Sequence, residues 1–254
     1  MIEHHDITTQ NTVSGENGIV LKIEGLHKSF GDNHVLKGFN MELHQGENLV
    51  IMGKSGSGKS VMIKCLVGLM EADSGLISLM NHDITTLNQE ALDILRADIG
   101  FLFQGSALYD SMTVRENLEF PLRHTKKIKE NIDTDSLVLE ALENVGLIET
   151  LDLMPSELSG GMKRRVALAR TLILKPKIIL YDEPTSGLDP ITAKEIILLM
   201  QDVQKKYNTS SLIITHDVDC ARVISDRMIL LVDGIDYATG TYEELSASSD
   251  PSVK

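Results

Sequence analysis

Tryptophan is absent from this chain of 254 residues, and aromatic side chains together make up only 4% of it. A hydrophobic core must therefore be built almost entirely from aliphatic residues. Cysteine is nearly as scarce: Cys65 and Cys220 are the only two, and both stand in apolar, helix-like sequence. We interpret them as reduced core residues of a cytosolic protein rather than as a disulfide or a metal pair.

Long apolar runs and positive charge are also in short supply. No run approaches the ~18–20 residues of a membrane-spanning helix, and no charged-then-apolar leader opens the sequence. The 24 Lys and Arg against 37 Asp and Glu give a net charge of −13. This balance argues against binding to nucleic acid or to an anionic membrane surface. We expect a soluble or peripheral protein, in which a partner supplies any membrane span.

The strongest motif occupies residues 53–60 and reads G-x-x-x-x-G-K-S, the phosphate-binding P-loop. An apolar run precedes it and a helix-like run follows it, which is the strand–loop–helix context that the motif needs. Lys59 can reach the β- and γ-phosphates, and the Ser60 hydroxyl can ligate Mg²⁺. The residues predicted to cradle phosphate are Gly53, Ser55, Gly56, Ser57, Gly58, Lys59 and Ser60.

Two further apolar runs end in residues with catalytic chemistry. Residues 178–181 lead into Asp182 and Glu183, and residues 211–215 lead into His216. Ligands of open α/β sheets bind at the carboxyl ends of the strands. One carboxylate there can hold Mg²⁺, and the other can orient or deprotonate an attacking water. For His216 two interpretations stay open: a contact with phosphate and a purely structural role.

The remaining pattern predicts an α/β fold with a mostly parallel sheet. Residues 1–18 are interpreted as a flexible tail, and the short strands from residue 19 onward as a small antiparallel layer ahead of the P-loop strand at 49–52. Residues 19–248 are predicted to form a single domain, with a mostly helical insertion at about 104–170 and a short tail at 249–254. The charge run at 126–129 is interpreted as a solvated loop or helix face.

Several helix boundaries can be predicted from capping residues. Ser159 is a candidate N-cap for a helix that stops near Lys175-Pro176. Asp189 followed by Pro190 predicts a helix that extends to about Tyr207. Residues 228–238 read as a hairpin, and residues 241–244 as the capping box of a last short helix.

With residues 158–161, Leu-Ser-Gly-Gly, between the P-loop and the Asp-Glu strand, the chain resembles the nucleotide-binding subunits of ATP-binding-cassette (ABC) transporters over residues 19–246. The resemblance implies a RecA-like P-loop NTPase core, ATP and Mg²⁺. It implies that Phe30 stacks on adenine, Gln104 senses Mg²⁺ and the attacking water, and Asp182 associates with Mg²⁺. It further implies that Glu183 is the general base and that His216 meets the γ-phosphate.

The same resemblance implies a homodimer with two ATP molecules at its interface. Ser159, Gly160 and Gly161 would serve the nucleotide of the opposite subunit, and the loop ending at Asp189 would communicate across the dimer. ATP would favour the closed dimer, hydrolysis would release it, and the cycle would drive a membrane permease. The subunit would lie at the cytoplasmic face of the bacterial inner membrane, attached through that permease.

A narrower resemblance concerns the transported substrate. Residues 103–114 look like the corresponding stretch of Mla-type ATPases, which serve lipid transporters containing MCE proteins, and Met162 stands where most importers carry Gln. The resemblance implies a permease contact near Gln104 to Val114, an MCE lipid-binding protein and phospholipid transport. Alternatives are an importer for amino acids or ions and a soluble ABC ATPase. A P-loop GTPase lacks support because no Asn-Lys-x-Asp motif occurs, and Lys54 within the P-loop has no assigned role.

Overall fold

Two β-sheets organise the computed structural model, which describes residues 18–125 and 133–253. The predicted tail at 1–18, except for Gly18, and the charge run at 126–129 lie outside the described residues. The described residues form ten strands: β1 (Ile19–Phe30), β2 (Asn33–His44), β3 (Asn48–Met52), β4 (Ser74–Leu79), β5 (His82–Asp83), β6 (Ile99–Leu102), β7 (Ile178–Asp182), β8 (Ser210–Thr215), β9 (Arg227–Val232) and β10 (Ile235–Gly240).

The smaller sheet is antiparallel, with the strand order β2-β1-β4-β5. This confirms the predicted N-terminal layer, but the prediction of short strands was wrong, because β1 and β2 each run for 12 residues. Gly25 and Gly38 both have positive φ, at 57° and 92°. The register of β1 shifts between Ile23 and Leu26, around Gly25. A bulge of this kind lets a strand continue past a glycine that the sequence pattern suggests would end it.

The larger sheet has the order β10-β9-β3-β8-β7-β6 and is parallel from β9 to β6, with β10 antiparallel at one edge. Strands β7 and β8 are buried along almost their whole length, as expected for parallel strands covered on both faces. The predicted mostly parallel core is therefore confirmed. The carboxyl ends of β3, β8, β7 and β6 share one edge of the sheet.

Eight helices complete the described structure: α1 (Lys59–Leu66), α2 (Gln89–Arg96), α3 (Val114–His124), α4 (Thr134–Glu143), α5 (Gly160–Leu172), α6 (Pro190–Tyr207), α7 (Val218–Ile224) and α8 (Tyr242–Ser246). The predicted caps are confirmed. Ser159 Oγ accepts from the Met162 amide at 3.2 Å, and the Asp189 carboxylate accepts from two amides at the start of α6. The capping box of α8 is also present.

Helices α3, α4 and α5 pack around an apolar cluster of their own, separate from the two clusters that line the large sheet. The predicted mostly helical insertion at about 104–170 is confirmed, since α3, α4 and most of α5 lie within it. Its residues 104–113 contain no helix, and two 3₁₀ turns, Ile148–Thr150 and Pro155–Glu157, lie between α4 and α5. None of the helices in residues 18–125 and 133–253 is long and apolar enough to cross a membrane.

Cys65 and Cys220 are buried and free, as the sequence predicts. Burial raises the pKa of the Cys65 thiol and raises that of Cys220 to about 12. Both thiols therefore remain protonated at neutral pH, and a protonated thiol is a poor nucleophile.

We expect neither cysteine to react with a thiol reagent at about pH 8 in the folded protein, although an exposed thiol with a pKa of about 8.5 would react. In denaturant both should react, which mass spectrometry can count. Rapid labelling of Cys220 without denaturant would contradict the burial of α7 against the large sheet.

Candidate active site

The P-loop leaves β3 and turns tightly into α1. Gly56 and Gly58 have φ of 81° and 107°, values that favour glycine. A Cβ added to Gly53 would stand 2.6 Å from the Leu231 carbonyl oxygen, so the loop also packs against β9. The Lys59 ammonium donates to the carbonyl oxygens of Gly53 at 2.6 Å and Lys54 at 2.9 Å. These two hydrogen bonds fix the Lys59 ammonium against the backbone of the P-loop.

Lys59 is partly desolvated, and burial lowers the pKa of its ammonium, with the charges of Glu183 and Asp182 opposing that shift. An ammonium that has lost water and donates only to neutral carbonyls gains strongly from an anionic partner. Ser57 Oγ is buried and has no hydrogen-bond partner among the described residues. These two observations fit a loop built to receive phosphate oxygens.

The acidic pair lies at the carboxyl end of β7, where Asp182 is the last residue of the strand and Glu183 follows it. Burial and the neighbouring Glu183 charge raise the pKa of the Asp182 carboxyl, and the Lys59 charge opposes that shift. Glu183 adopts a left-handed φ of 49°, and its amide donates to the Ile214 carbonyl at 2.8 Å. A non-glycine residue in this conformation is strained, and such strain is concentrated at functional sites.

Glu183 and His216 form a hydrogen-bonded pair. His216 Nδ1 lies 2.9 Å from Glu183 Oε2, and because a carboxylate only accepts, Nδ1 carries the proton. The Glu183 side chain is 12% exposed and the His216 side chain 68%. The carboxylate is therefore sheltered, while the imidazole reaches into solvent.

Gln104 approaches from the end of β6. Its side-chain amide donates to Ser186 Oγ at 3.2 Å, in the loop that follows the acidic pair. Since Nε2 is the donor in this contact, the amide oxygen is available to a cation or to water.

These groups surround one cavity of ≈ 710 Å³. A cavity of that size lies within the range of small-molecule sites. Its lining residues are Val35, Lys54, Ser55, Gly56, Gly58, Lys59, Ser60, Val61, Gln104, Asp182, Glu183 and His216. Sequence reasoning missed Val35 and Val61 as part of the site. Neither valine carries a recognisable signal in the sequence. Val35 lies beside the loop only because β2 packs there in the tertiary structure.

The other predicted site residues do not line this cavity: Gly53 and Ser57 of the P-loop, Phe30, Ser159, Gly160, Gly161 and Asp189. Phe30, at the end of β1, is 49% exposed and packs beneath the Lys28 ammonium, 5.7 Å from the ring centroid. Ser159, Gly160, Gly161 and Asp189 lie at the amino-terminal ends of α5 and α6, and none lines the cavity. These two ends pack together, because a Cβ on Gly161 would stand 2.6 Å from Thr192 Cγ2.

A metal ion would need ligands beyond the acidic residues. No group of three or more His, Cys, Asp or Glu that could hold a metal occurs in the described part of the chain. The cavity lining includes the three predicted donors: the Ser60 hydroxyl, the Asp182 carboxylate and the Gln104 amide. Hard oxygen donors of this kind, few in number, suit Mg²⁺, which keeps waters and binds substrate phosphates.

A parallel sheet, a P-loop at one strand end and an acidic pair at another define the chain as a P-loop nucleotide hydrolase. The model of the ABC transporter family matches residues 36–186, more than half of the sequence. The chain therefore belongs to the ABC transporter family, as an ATP-binding cassette with ATPase chemistry.

Solved structures of similar fold are also ATP-binding cassettes. One is cbiO1 from Clostridium perfringens, part of the ABC transporter complex cbiONQ, with a TM-score of 0.83 and 32% identity. That match covers 91% of this chain and 92% of the other. Another is a dimeric post-hydrolysis state of the cassette MJ0796 bound to ADP and Pi, with a TM-score of 0.78 and 32% identity. It covers 87% of this chain and 98% of that one.

Curated relatives carry names from different transport systems. The probable ribonucleotide transport ATP-binding protein mkl of Mycobacterium leprae is 39% identical over 93% of this chain and 68% of its own length. The methionine import ATP-binding protein MetN of Clostridium tetani is 40% identical over 85% of this chain and 67% of its own. The chloroplastic protein TRIGALACTOSYLDIACYLGLYCEROL 3 of Arabidopsis thaliana is 36% identical over 95% and 74%.

Replacement of Lys59 by Met should weaken ATP binding by at least about tenfold, because the loop loses its partly desolvated cation. Calorimetric titration with ATP and Mg²⁺ measures the change. Lys64→Met is the matched control, since Lys64 is an exposed lysine of α1 outside the cavity. Equal affinity in the Lys59 and Lys64 variants would contradict the assignment of the loop.

Proposed function

We propose that this protein is the ATP-hydrolysing subunit of a bacterial lipid transporter, working as a homodimer on a membrane permease. The observation that carries the hydrolytic part is the Glu183–His216 pair, which shares one cavity with Lys59 of the P-loop. The subunit would be attached to the cytoplasmic face of the inner membrane through the permease. Its net charge of −13 disfavours nucleic acid as a partner.

In this proposal the predicted site residues of the P-loop and of the neighbouring strand ends have separate tasks. Lys59 and the P-loop amides, with residues Gly53, Ser55, Gly56, Ser57 and Gly58, hold the phosphates. Ser60, Asp182 and Gln104 hold Mg²⁺ directly or through water. When bound, Mg²⁺ supplies charge neutralisation for the phosphoryl oxygens. Glu183 accepts the proton of the attacking water, and His216 contacts the γ-phosphate, so that hydrolysis is driven by positioning and charge stabilisation.

The proposed homodimer is supported by predicted site residues that do not line the cavity. Ser159, Gly160, Gly161 and Asp189 form a joint face at the amino-terminal ends of α5 and α6, where a second copy would bring its own nucleotide. Phe30 would stack on the adenine at the rim of the cavity. Two identical incomplete sites that complete each other require two-fold symmetry. The dimeric state of the similar MJ0796 cassette supports this arrangement.

The lipid part rests on residues 103–114 and Met162, which are similar to Mla-type ATPases. Likeness to a relative named for the lipid trigalactosyldiacylglycerol adds support. We propose that residues 104–114 contact the permease and that an MCE lipid-binding protein belongs to the same complex. The second candidate is a nutrient importer, favoured by the 40% identity to MetN.

Glu183→Gln preserves the shape of the side chain and removes its basicity. We expect ATP turnover to fall by about 10²–10⁴-fold, the usual contribution of a general base, while ATP binding persists. The variant should form a stable dimer with ATP and Mg²⁺, measured by light scattering. Glu243→Gln, at an exposed position of α8, is the control and should turn over normally. Wild-type turnover in Glu183→Gln would show that Glu183 is not the base.

The substrate is tested by purifying the Glu183→Gln protein with ATP and Mg²⁺ from gently solubilised membranes of its own host. We expect a permease, an MCE protein and extractable phospholipid to accompany it. The Lys59→Met protein, which cannot close on ATP, should retain less of this complex. A permease accompanied by a water-soluble solute-binding protein would instead establish the importer, and the absence of any membrane protein would favour a soluble ATPase.

A further inference from the structure

Arg164 is a buried arginine that forms no ion pair with a described acidic residue. Its residue is 4% exposed, and its Nε atom has no hydrogen-bond partner among residues 18–125 and 133–253. No described Asp or Glu forms an ion pair with it, and burial lowers the pKa of the guanidinium. Burying an unpaired charge is costly. The residue therefore calls for an explanation other than electrostatic stability.

The guanidinium joins two loops of the candidate active site. Nη1 donates to the Phe103 carbonyl at 2.8 Å, and Nη2 donates to the Ser186 carbonyl at 3.3 Å. Phe103 immediately precedes Gln104, and Ser186 carries the hydroxyl that accepts from the Gln104 amide at 3.2 Å. One side chain on α5 thus holds the backbone on both sides of the Gln104 contact.

The segment that begins at Phe103 needs such support. Ser106 and Ala107 both adopt left-handed backbone conformations, with φ of 62° and 49°. Consecutive residues with a Cβ in this region are strained, and the strain persists only where the surroundings impose it. Arg170, also on α5, donates to the Ser106 carbonyl at 3.2 Å. Helix α5 therefore contacts the segment at two points, and Arg164 also binds the Ser186 loop.

We propose that Arg164 is a positioning residue for hydrolysis: it fixes Gln104 and the Ser186 loop relative to helix α5. The inference rests on the proposed function. Helix α5 begins at Ser159 and Gly160, which under that proposal meet the nucleotide of the opposite subunit. A displacement of α5 by that nucleotide would then reach Gln104 in its own subunit through a single forked side chain.

Two substitutions separate positioning from simple space filling. Arg164→Met keeps most of the volume and removes the unpaired charge, and exchanges of this type often preserve or raise stability. We expect its melting temperature to stay near that of the wild type, its kcat to fall about tenfold and its KM for ATP to change less than about twofold. Arg164→Lys can reach only one carbonyl and should have an intermediate kcat.

Arg222→Met is the control, because Arg222 is a 56%-exposed arginine of α7 paired with Asp219. It should change neither kcat nor KM. A kcat for Arg164→Met equal to that of this control would overturn the proposal. So would a loss of kcat in a double variant with Gln104→Ala that equals the product of the two single losses, since Arg164 would then not act through Gln104.

Hydrogen exchange provides a readout that does not depend on turnover. The Ser106 amide bonds to the Phe103 carbonyl at 3.1 Å, and the Leu188 amide bonds to the Thr185 carbonyl at 3.2 Å. In Arg164→Met both amides should exchange about tenfold faster or more, while those of α6 remain unchanged. Unchanged exchange at both loops would refute the positioning role. If the wild-type protein showed no ATP turnover, the proposed function would be refuted. The positioning role of Arg164 would still be decided by the exchange result.

Discussion

The parallel registration of four neighbouring strands is the constraint on which the rest of the structure depends. Met52 pairs with Thr215, Ile214 with Asp182, and Tyr181 with Leu102 across the sheet. Because these pairs lie at the carboxyl ends of the strands, the chain leaves the sheet at one edge every time. The P-loop, the acidic pair, the histidine and Gln104 meet there although more than 160 residues separate the first from the last, from Gly53 to His216. A slip of one strand by a single residue would turn its side chains to the other face and dismantle the site.

Desolvation gives this edge its chemistry. The protein carries a net charge of −13, yet the site that it builds is suited to an anion. The resolution is local, because Lys59 and Asp182 are both partly buried and each has a pKa displaced toward its neutral form. An anion beside the lysine and a cation beside the aspartate would relieve both penalties together. The nucleoside triphosphate and the divalent cation proposed above would together supply these two charges.

Two cationic side chains, Lys59 and Arg164, donate hydrogen bonds to backbone carbonyls rather than to acidic side chains. Lys59 donates to two carbonyls of its own loop, and Arg164 donates to two carbonyls of different loops. Charge-assisted bonds to neutral acceptors fix geometry without cancelling the charge, which leaves Lys59 free for a ligand. The strained positions Ser106, Ala107 and Glu183 lie beside these contacts. Strain of this kind is retained where function needs a specific backbone position.

By itself the sequence determined the fold class, the P-loop, the acidic pair and the helix starts at Ser159 and Asp189, because these depend on local pattern and capping chemistry. It misjudged the lengths of β1 and β2, since a bulge at glycine is decided by the neighbouring strand rather than by the segment itself. Only the tertiary structure decided that Val35 lines the cavity and that Ser159 does not. The contacts of Arg164 with the Phe103 and Ser186 carbonyls were also decided by the tertiary structure. The three residues are far apart in the sequence, and their spacing carries no pattern that predicts a contact.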